Sequence, residues 1–414
     1  MIFPLSSEEL FRWTEDRWRQ ELQDWSASEI EVVAAKICAE RRDFLEKVQQ
    51  RQFPAAHPSL SLNHLGAQAA LAHLNESHLD AVPALLRLYR EHREDLHLAS
   101  VLVQSLSAMV SRRAQILAEL WVELSQFGVR QFPSPLVRAF VSLSLPDPDP
   151  WVERLADGLT ESPTLAGCRG CALVLAELGP SAQKAVPRLL AATHQEDGEL
   201  RSVAAIALGN IGTGSEVLER LLELASSDSQ WYVRGNAIES ASRWGDPAVL
   251  PIALGVLQED AQTPDWCAPE CAARALERLG LPQALPALRL ALRENPREQV
   301  ATACFVAATK LTTQDDLQDL CRDALQRSDA PELWGLALQL ALEHFPDSNW
   351  CESELDSVFR HREECGETTL LVWLRNRIRL TRPWTNTERR TVTAWAKHEG
   401  ELGDACRVLI QGWL

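Results

Sequence analysis

The sequence predicts an all-α fold, an α-α superhelix of stacked helix pairs, and three observations predict it. Leu200, Val203, Ala204, Ala207, Leu208 and Ile211 recur at the spacing of one apolar helix face. A second stripe follows at Val217, Leu218, Leu221, Leu222 and Ala225, and the pattern returns about 32 residues later, with Val249, Leu250, Ala253, Leu254 and Leu257 as the next stripe. Gly179, Gly212, Gly245 and Gly280 lie 33, 33 and 35 residues apart, each where the first helix of a pair should end. Glycine suits a helix end because it adopts positive φ at little steric cost. A lone helix pair cannot bury its apolar face, so pairs repeated at this period stack into a solenoid.

Composition narrows the function classes. Apolar residues form 46% of the 414-residue chain, as in packed globular proteins. No uninterrupted apolar run approaches the ~18 residues of a membrane span, so none is expected. The stretch Met1–Glu9 lacks the basic start and long apolar core of a signal peptide, which leads to the expectation of a cytoplasmic protein. Ten cysteines scattered along the chain fit a reducing compartment with buried thiols. The net charge of −17 argues against a general nucleic-acid binder, which must neutralise phosphates with Lys and Arg. The same charge permits a basic protein partner, or serves only to keep a long surface soluble. Fourteen Trp stand against two Tyr, a bias that supplies both core residues and contact anchors.

Residues 1–56 read as a distinct N-terminal helical segment. Ser6 with Glu9 and Ser28 with Glu31 have capping-box spacing, and Leu10, Trp13, Trp18, Leu22 and Trp25 line the first helix. The segment is either a cap over the solenoid's open end or a docking module with its tryptophans partly exposed. Phe53–Ser59, with Pro54 and Pro58, breaks the helical pattern. Degenerate repeats are expected over 57–161, with helices near 60–75, 80–94, 95–110, 113–126, 134–145 and 149–161. The run Pro146–Pro150 is expected to be a rigid, helix-free connector. Regular repeats follow over 162–296. A proline marks the start of several second helices, at Pro83, Pro187, Pro251 and Pro286, where first-turn N–H groups have no intrahelical partner. Degenerate C-terminal repeats and a cap are expected over 297–414, with helices near 298–311, 314–327, 331–345, 353–364, 367–380, 386–399 and 403–413.

The stretch Leu200–Gly212, reading LRSVAAIALGNIG, resembles a HEAT repeat, and Val233–Pro251 is the next copy. More narrowly, both resemble the short HEAT-like repeats of phycobilisome lyase subunits, over about 164–295 of this chain. The resemblance implies an Asp–Arg ladder between neighbouring repeats. Asp228 and Arg234 match its positions; Arg201 matches the arginine, with Glu196 or Asp197 as its acidic partner. The resemblance also implies that the second helix of each pair lines a concave binding face. It carries no activity, because fold alone does not.

Candidate chemistry is sparse. Cys168-x-x-Cys171 and Cys267-x-x-x-Cys271 lack the further ligands that a zinc site needs nearby. Cys171 lies eight residues before Gly179, as Ala204, Ala237 and Ala272 do before Gly212, Gly245 and Gly280, so it fills the small buried slot of its repeat. Cys304 takes the same slot before Thr312. His57, His64, His73, His78, His92 and His97 match no ligand or catalytic spacing, and no phosphate loop, dinucleotide fingerprint or nucleophile elbow occurs. No catalytic residue, metal ligand or cofactor is therefore expected. Arg375, Arg377, Arg379, Arg382, Arg389, Arg390 and Lys397, interleaved with Trp373, Trp384 and Trp395, form a local basic and aromatic cluster. Either it holds an anionic partner, or its Arg stems cover apolar surface. Trp231 and Trp266 begin helices of the regular block and are candidates for the solenoid edge, whereas Trp244 belongs to an apolar stripe.

The expected function is a non-catalytic scaffold or adaptor that binds a protein along one solenoid face. The alternatives are a bacterial inhibitor or immunity protein for a toxin or effector, and, less favoured by the charge, a lyase-type enzyme subunit or a HEAT-like DNA glycosylase. Nothing in the sequence calls for a homo-oligomer.

Overall fold

The computed structural model describes Ser26, Ile30, Leu74 and residues 76–412, apart from 93–94, 129–133, 213, 259–266, 328–329, 346–348, 361, 363–366, 380–382 and 399. The N-terminal cap, except Ser26 and Ile30, therefore lies outside the described residues, as do the helix near 60–75, except Leu74, and Trp266 and Arg382. The described residues form helices and turns without a strand.

The chain divides into two compact units, Met1–Val217 and Leu218–Leu414. Unit 1 holds α1 (Val82–His92), α2 (Leu96–Ser107), α3 (Arg113–Phe127), α4 (Pro135–Ser144), α5 (Asp149–Glu161), α6 (Leu165–Leu178), α7 (Val186–Ala192) and α8 (Gly198–Ile211). The division falls within α9 (Ser215–Ser227). Unit 2 continues with α10 (Trp231–Ser242), α11 (Val249–Gln258), α12 (Cys267–Leu279), α13 (Leu285–Glu294), α14 (Glu298–Leu311) and α15 (Gln314–Leu325). It ends with α16 (Pro331–His344), α17 (Asn349–Arg360), α18 (Glu367–Arg379), α19 (Asn386–Trp395) and α20 (Glu401–Gln411).

Each unit is a stack of helix pairs. First helices pack on first helices, α2 on α4 on α6 on α8 in unit 1, and α10 on α12 on α14 on α16 on α18 on α20 in unit 2. Second helices pack against them, and meet one another far less extensively. Small residues allow the close row: Cys171, Ala204, Ala237, Ala272 and Cys304 are all fully buried in the slot their register predicts. The closing glycines take positive φ, with Gly179 at 54° and Gly212 at 56°. Capping fits as well: Thr164 Oγ1 accepts from Gly167 N–H at 3.0 Å, and Asp197 Oδ1 accepts from Leu200 N–H at 2.7 Å.

Hydrogen bonds between neighbouring repeats fix the stacking. In unit 1, Asn210 Nδ2 donates to the Ala176 carbonyl at 3.0 Å. In unit 2, Arg327 Nη1 donates to the carbonyls of Leu292 (2.8 Å) and Asn295 (2.9 Å). Glu298 Oε1 accepts from Glu332 N–H at 2.6 Å, and Glu367 Oε1 from Leu402 N–H at 3.1 Å. An acid at the start of one first helix thus caps the start of the next, satisfying donors that have no partner within their own helix.

Two expectations need correction. The connector Pro146–Pro150 is not helix-free throughout, because Asp149 and Pro150 already belong to the first turn of α5, where proline is tolerated. The helix expected from residue 353 begins at Asn349. Tight 3₁₀ turns over Glu76–Ala81, Gly179–Ala185 and Pro282–Ala284 lead into α1, α7 and α13, a feature the apolar stripes do not encode. Unit 1 also departs from strict repetition where α6 packs on α3. A Cβ on Gly167 would lie 2.0 Å from the Ser125 carbonyl oxygen, so only glycine lets these backbones meet.

Candidate protein-binding surface

The arginines of the expected ladder tie turns to helices through backbone carbonyls. Arg234 Nη1 donates to the Asp228 carbonyl at 3.0 Å, while Asp228 Oδ1 accepts from Gln230 N–H at 2.9 Å. Arg201 Nη1 donates to the carbonyls of Gln195 (2.9 Å) and Glu196 (2.8 Å). A side-chain rung between neighbouring repeats is made by Arg169, whose Nε donates to Asp197 Oδ1 at 2.9 Å. Sequence reasoning missed it because Arg169 lies ten residues before its closing glycine, whereas Arg201 and Arg234 lie eleven before theirs.

In unit 2 the first helices carry a half-exposed band of charge. Glu239 on α10 faces Arg274 Nε at 3.7 Å and Arg278 Nη2 at 3.5 Å on α12. Arg274 also binds Glu270 at 2.8 Å, and Glu277 pairs with Lys310 on α14. At the start of α10, Trp231 is 42% exposed and meets Tyr232 edge-on, with ring centroids 5.3 Å apart. Trp244, by contrast, is half-buried at the other end of the same repeat.

The C-terminal Arg/Trp cluster is part core and part surface. Trp373 is 1% exposed; its indole N–H donates to the Leu355 carbonyl at 3.0 Å, and its ring stacks on Phe359 at 4.9 Å. Trp384 and Trp395 meet Trp373 edge-on at 6.3 Å and 5.8 Å. Arg377 is fully buried, its Nε donating to Glu388 Oε1 at 2.6 Å and its guanidinium lying 4.4 Å from the Trp384 ring. Burial would raise the Glu388 pKa, but hydrogen bonds from Arg377 and Thr385 outweigh it and hold the carboxyl below its ordinary value. The expectation that Trp373 meets a partner is thus overturned by its burial, and Arg377 leaves the surface cluster for the same reason. Arg375 is exposed and paired with Glu401 at 2.7 Å, and Arg389 is exposed on α19. Arg379 ends α18.

Burial pushes the thiols of Cys171 and Cys304 up to about 12, which makes them poor nucleophiles. Among the described residues, no group of three or more His, Cys, Asp or Glu is placed to hold a metal ion, and no helix is long and apolar enough to cross a membrane.

Against known proteins, the family described as HEAT repeats matches three overlapping stretches, residues 148–242, 186–265 and 218–309. No curated protein sequence matches the chain. Among solved structures, the complex of CpcE and CpcF of phycocyanin lyase from Nostoc sp. PCC7120 is 22% identical, with TM-score 0.37, covering 53% of this chain and 91% of that one. The Escherichia coli protein YibA is 14% identical, with TM-score 0.38, covering 72% of this chain and 97% of that one. Kap121p bound to Nup53p is 12% identical, with TM-score 0.44, covering 95% of this chain and 47% of that one. The repeat stretches and the paired helices in both units lead to one conclusion: residues 148–309 carry HEAT repeats, and the chain has an all-α solenoid fold.

Proposed function

We propose that the chain is a non-catalytic scaffold or adaptor that binds a protein partner along the first-helix row. Exposed Trp231 at the start of α10, with half-buried Tyr232 against it, and the charge band of α10, α12 and α14 carry this reading. A large exposed aromatic side chain on a row of helices that also carries half-desolvated charges has the composition of a binding surface. The first helices are the more closely packed row of each unit, and in a curved stack the more closely packed row follows the shorter, inner arc. This supports the first helices, in place of the second helices expected from the resemblance, as the partner face. The net charge of −17 favours a partner with a basic surface, and the free thiols suit a reducing cytoplasmic setting.

The test is affinity capture from the native host with the full chain as bait, followed by mass spectrometry and binding assays. Trp231→Ala should weaken the captured complex by about 30-fold or more, in line with a hot-spot loss of ~2 kcal/mol. Leu290→Ala, on second helix α13, should leave it nearly unchanged. Turnover of a substrate by the purified chain, abolished by a single polar substitution, would overturn the scaffold reading.

A further inference from the structure

One thiol pair stands apart from the other buried cysteines. Cys267 and Cys271 lie one turn apart at the start of α12, with their sulfurs 3.9 Å from each other. Cys271 is buried against α10, where a Cβ on Gly235 would lie 3.3 Å from its sulfur. Cys267 is half-buried. Arg274, one turn further on, donates from Nη2 to Cys271 Sγ at 3.4 Å.

The pair is badly placed for a disulfide. One helical turn holds the two Cβ atoms about 5–6 Å apart, whereas a disulfide needs roughly 3.5–4.5 Å. Closing it would unwind the start of α12. Two sulfurs already near each other can instead share a single soft ion. Thiolates favour soft ions, copper(I) among them, and copper(I) is satisfied by as few as two ligands. Harder ions or zinc would need further protein donors, and no cluster of three or more such donors occurs among the described residues.

We propose that Cys267 and Cys271 form a two-thiolate site for a soft monovalent d¹⁰ ion, copper(I). Binding forms two metal–sulfur bonds and releases two protons: M⁺ + 2 RSH → [M(SR)₂]⁻ + 2 H⁺. No electron is transferred. The complex carries one negative charge, and the Arg274 guanidinium is already in place to balance it.

The experiment uses the full-length reduced chain, titrated with copper(I) held in its coloured bathocuproine disulfonate complex. Wild type should withdraw one equivalent per chain from the chelator, and Cys168→Ser should do the same. Cys267→Ser and Cys271→Ser should lose that equivalent. Circular dichroism establishes that each variant is folded; Cys267→Ser, at a half-buried helix start, is the variant on which the decision rests. One equivalent of copper(I) should also raise the melting temperature of wild type but not of Cys267→Ser. The site is refuted if wild type withdraws no copper, or if folded Cys267→Ser withdraws as much as wild type.

Discussion

Arg169 and Asp197 couple two repeats of unit 1 through one carboxylate: Oδ1 of Asp197 accepts from Arg169 Nε at 2.9 Å and from Leu200 N–H at 2.7 Å. A single side chain thus joins α6 to α8 and caps α8. Both partners are mostly shielded from solvent, with side-chain exposures of 28% and 17%. This makes the rung stronger than an exposed ion pair, whose worth is usually below ~1 kcal/mol.

Asp197→Ala should therefore destabilise unit 1 by about 1–2 kcal/mol at neutral pH, chiefly through the lost cap. The Arg169 hydrogen bond holds the Asp197 carboxyl below its ordinary value of 3.8. A depressed folded pKa gives stability that is complete above the unfolded value and disappears as pH falls through the folded one. The gap between wild type and variant should shrink below about pH 4. Urea unfolding at pH 7, 5 and 3 reads it, and an undiminished gap at pH 3 would contradict the assignment.

The same substitution should act in opposite directions at two glycines. Gly167→Ala pushes a Cβ against the Ser125 backbone and should cost about 1–3 kcal/mol. Gly255, inside α11, has nothing within 4 Å of a built Cβ, so Gly255→Ala should stabilise by about 0.5–1 kcal/mol. Thermal melts of the two variants decide it, and equal signs would count against the close approach of α3 and α6.

The buried Arg377–Glu388 pair should be costly to break and cheaper to replace. Glu388 receives Nε at 2.6 Å and Nη2 at 3.1 Å, and it also completes the capping box of α19 with Thr385. Glu388→Gln should cost about 3 kcal/mol, because it leaves the guanidinium uncompensated. The double variant Arg377→Met with Glu388→Leu should lose less than the sum of the singles. Tryptophan fluorescence follows the unfolding, since Trp373 and Trp384 surround the pair.

Native-state alkylation should separate the thiols by burial. Iodoacetamide should modify half-buried Cys267 well before Cys171 and Cys304, which burial holds up at about 12. Peptide mass spectrometry over a time course checks the order. Comparable early labelling of Cys171 would mean that its slot opens readily.

Much of the repeat framework was legible because it is written in local spacing. The helices expected at 149–161 and 298–311 match α5 and α14 residue for residue, and the slot count from the closing glycines placed Cys171 and Cys304 correctly. The C-terminal cluster was legible only in part, for a physical reason. Arg375, Arg377 and Arg379 look alike in sequence, yet Arg377 lies four residues after Trp373 and so shares its buried helix face. That period was available as a signal, and the positive charge obscured it.

The order of amino acids alone determined the helix pairs, their period and the small side chains that let first helices nest, because each depends on contacts within a few turns. Only the tertiary structure decided which charged and aromatic residues face outward. Burying Arg377 requires Glu388 and the Pro383 carbonyl, both of which meet it only in the packed chain, and exposing Trp231 depends on what the neighbouring repeat leaves uncovered. A buried charge is stable only when its partners arrive with it, and that arrival is a property of the packed chain.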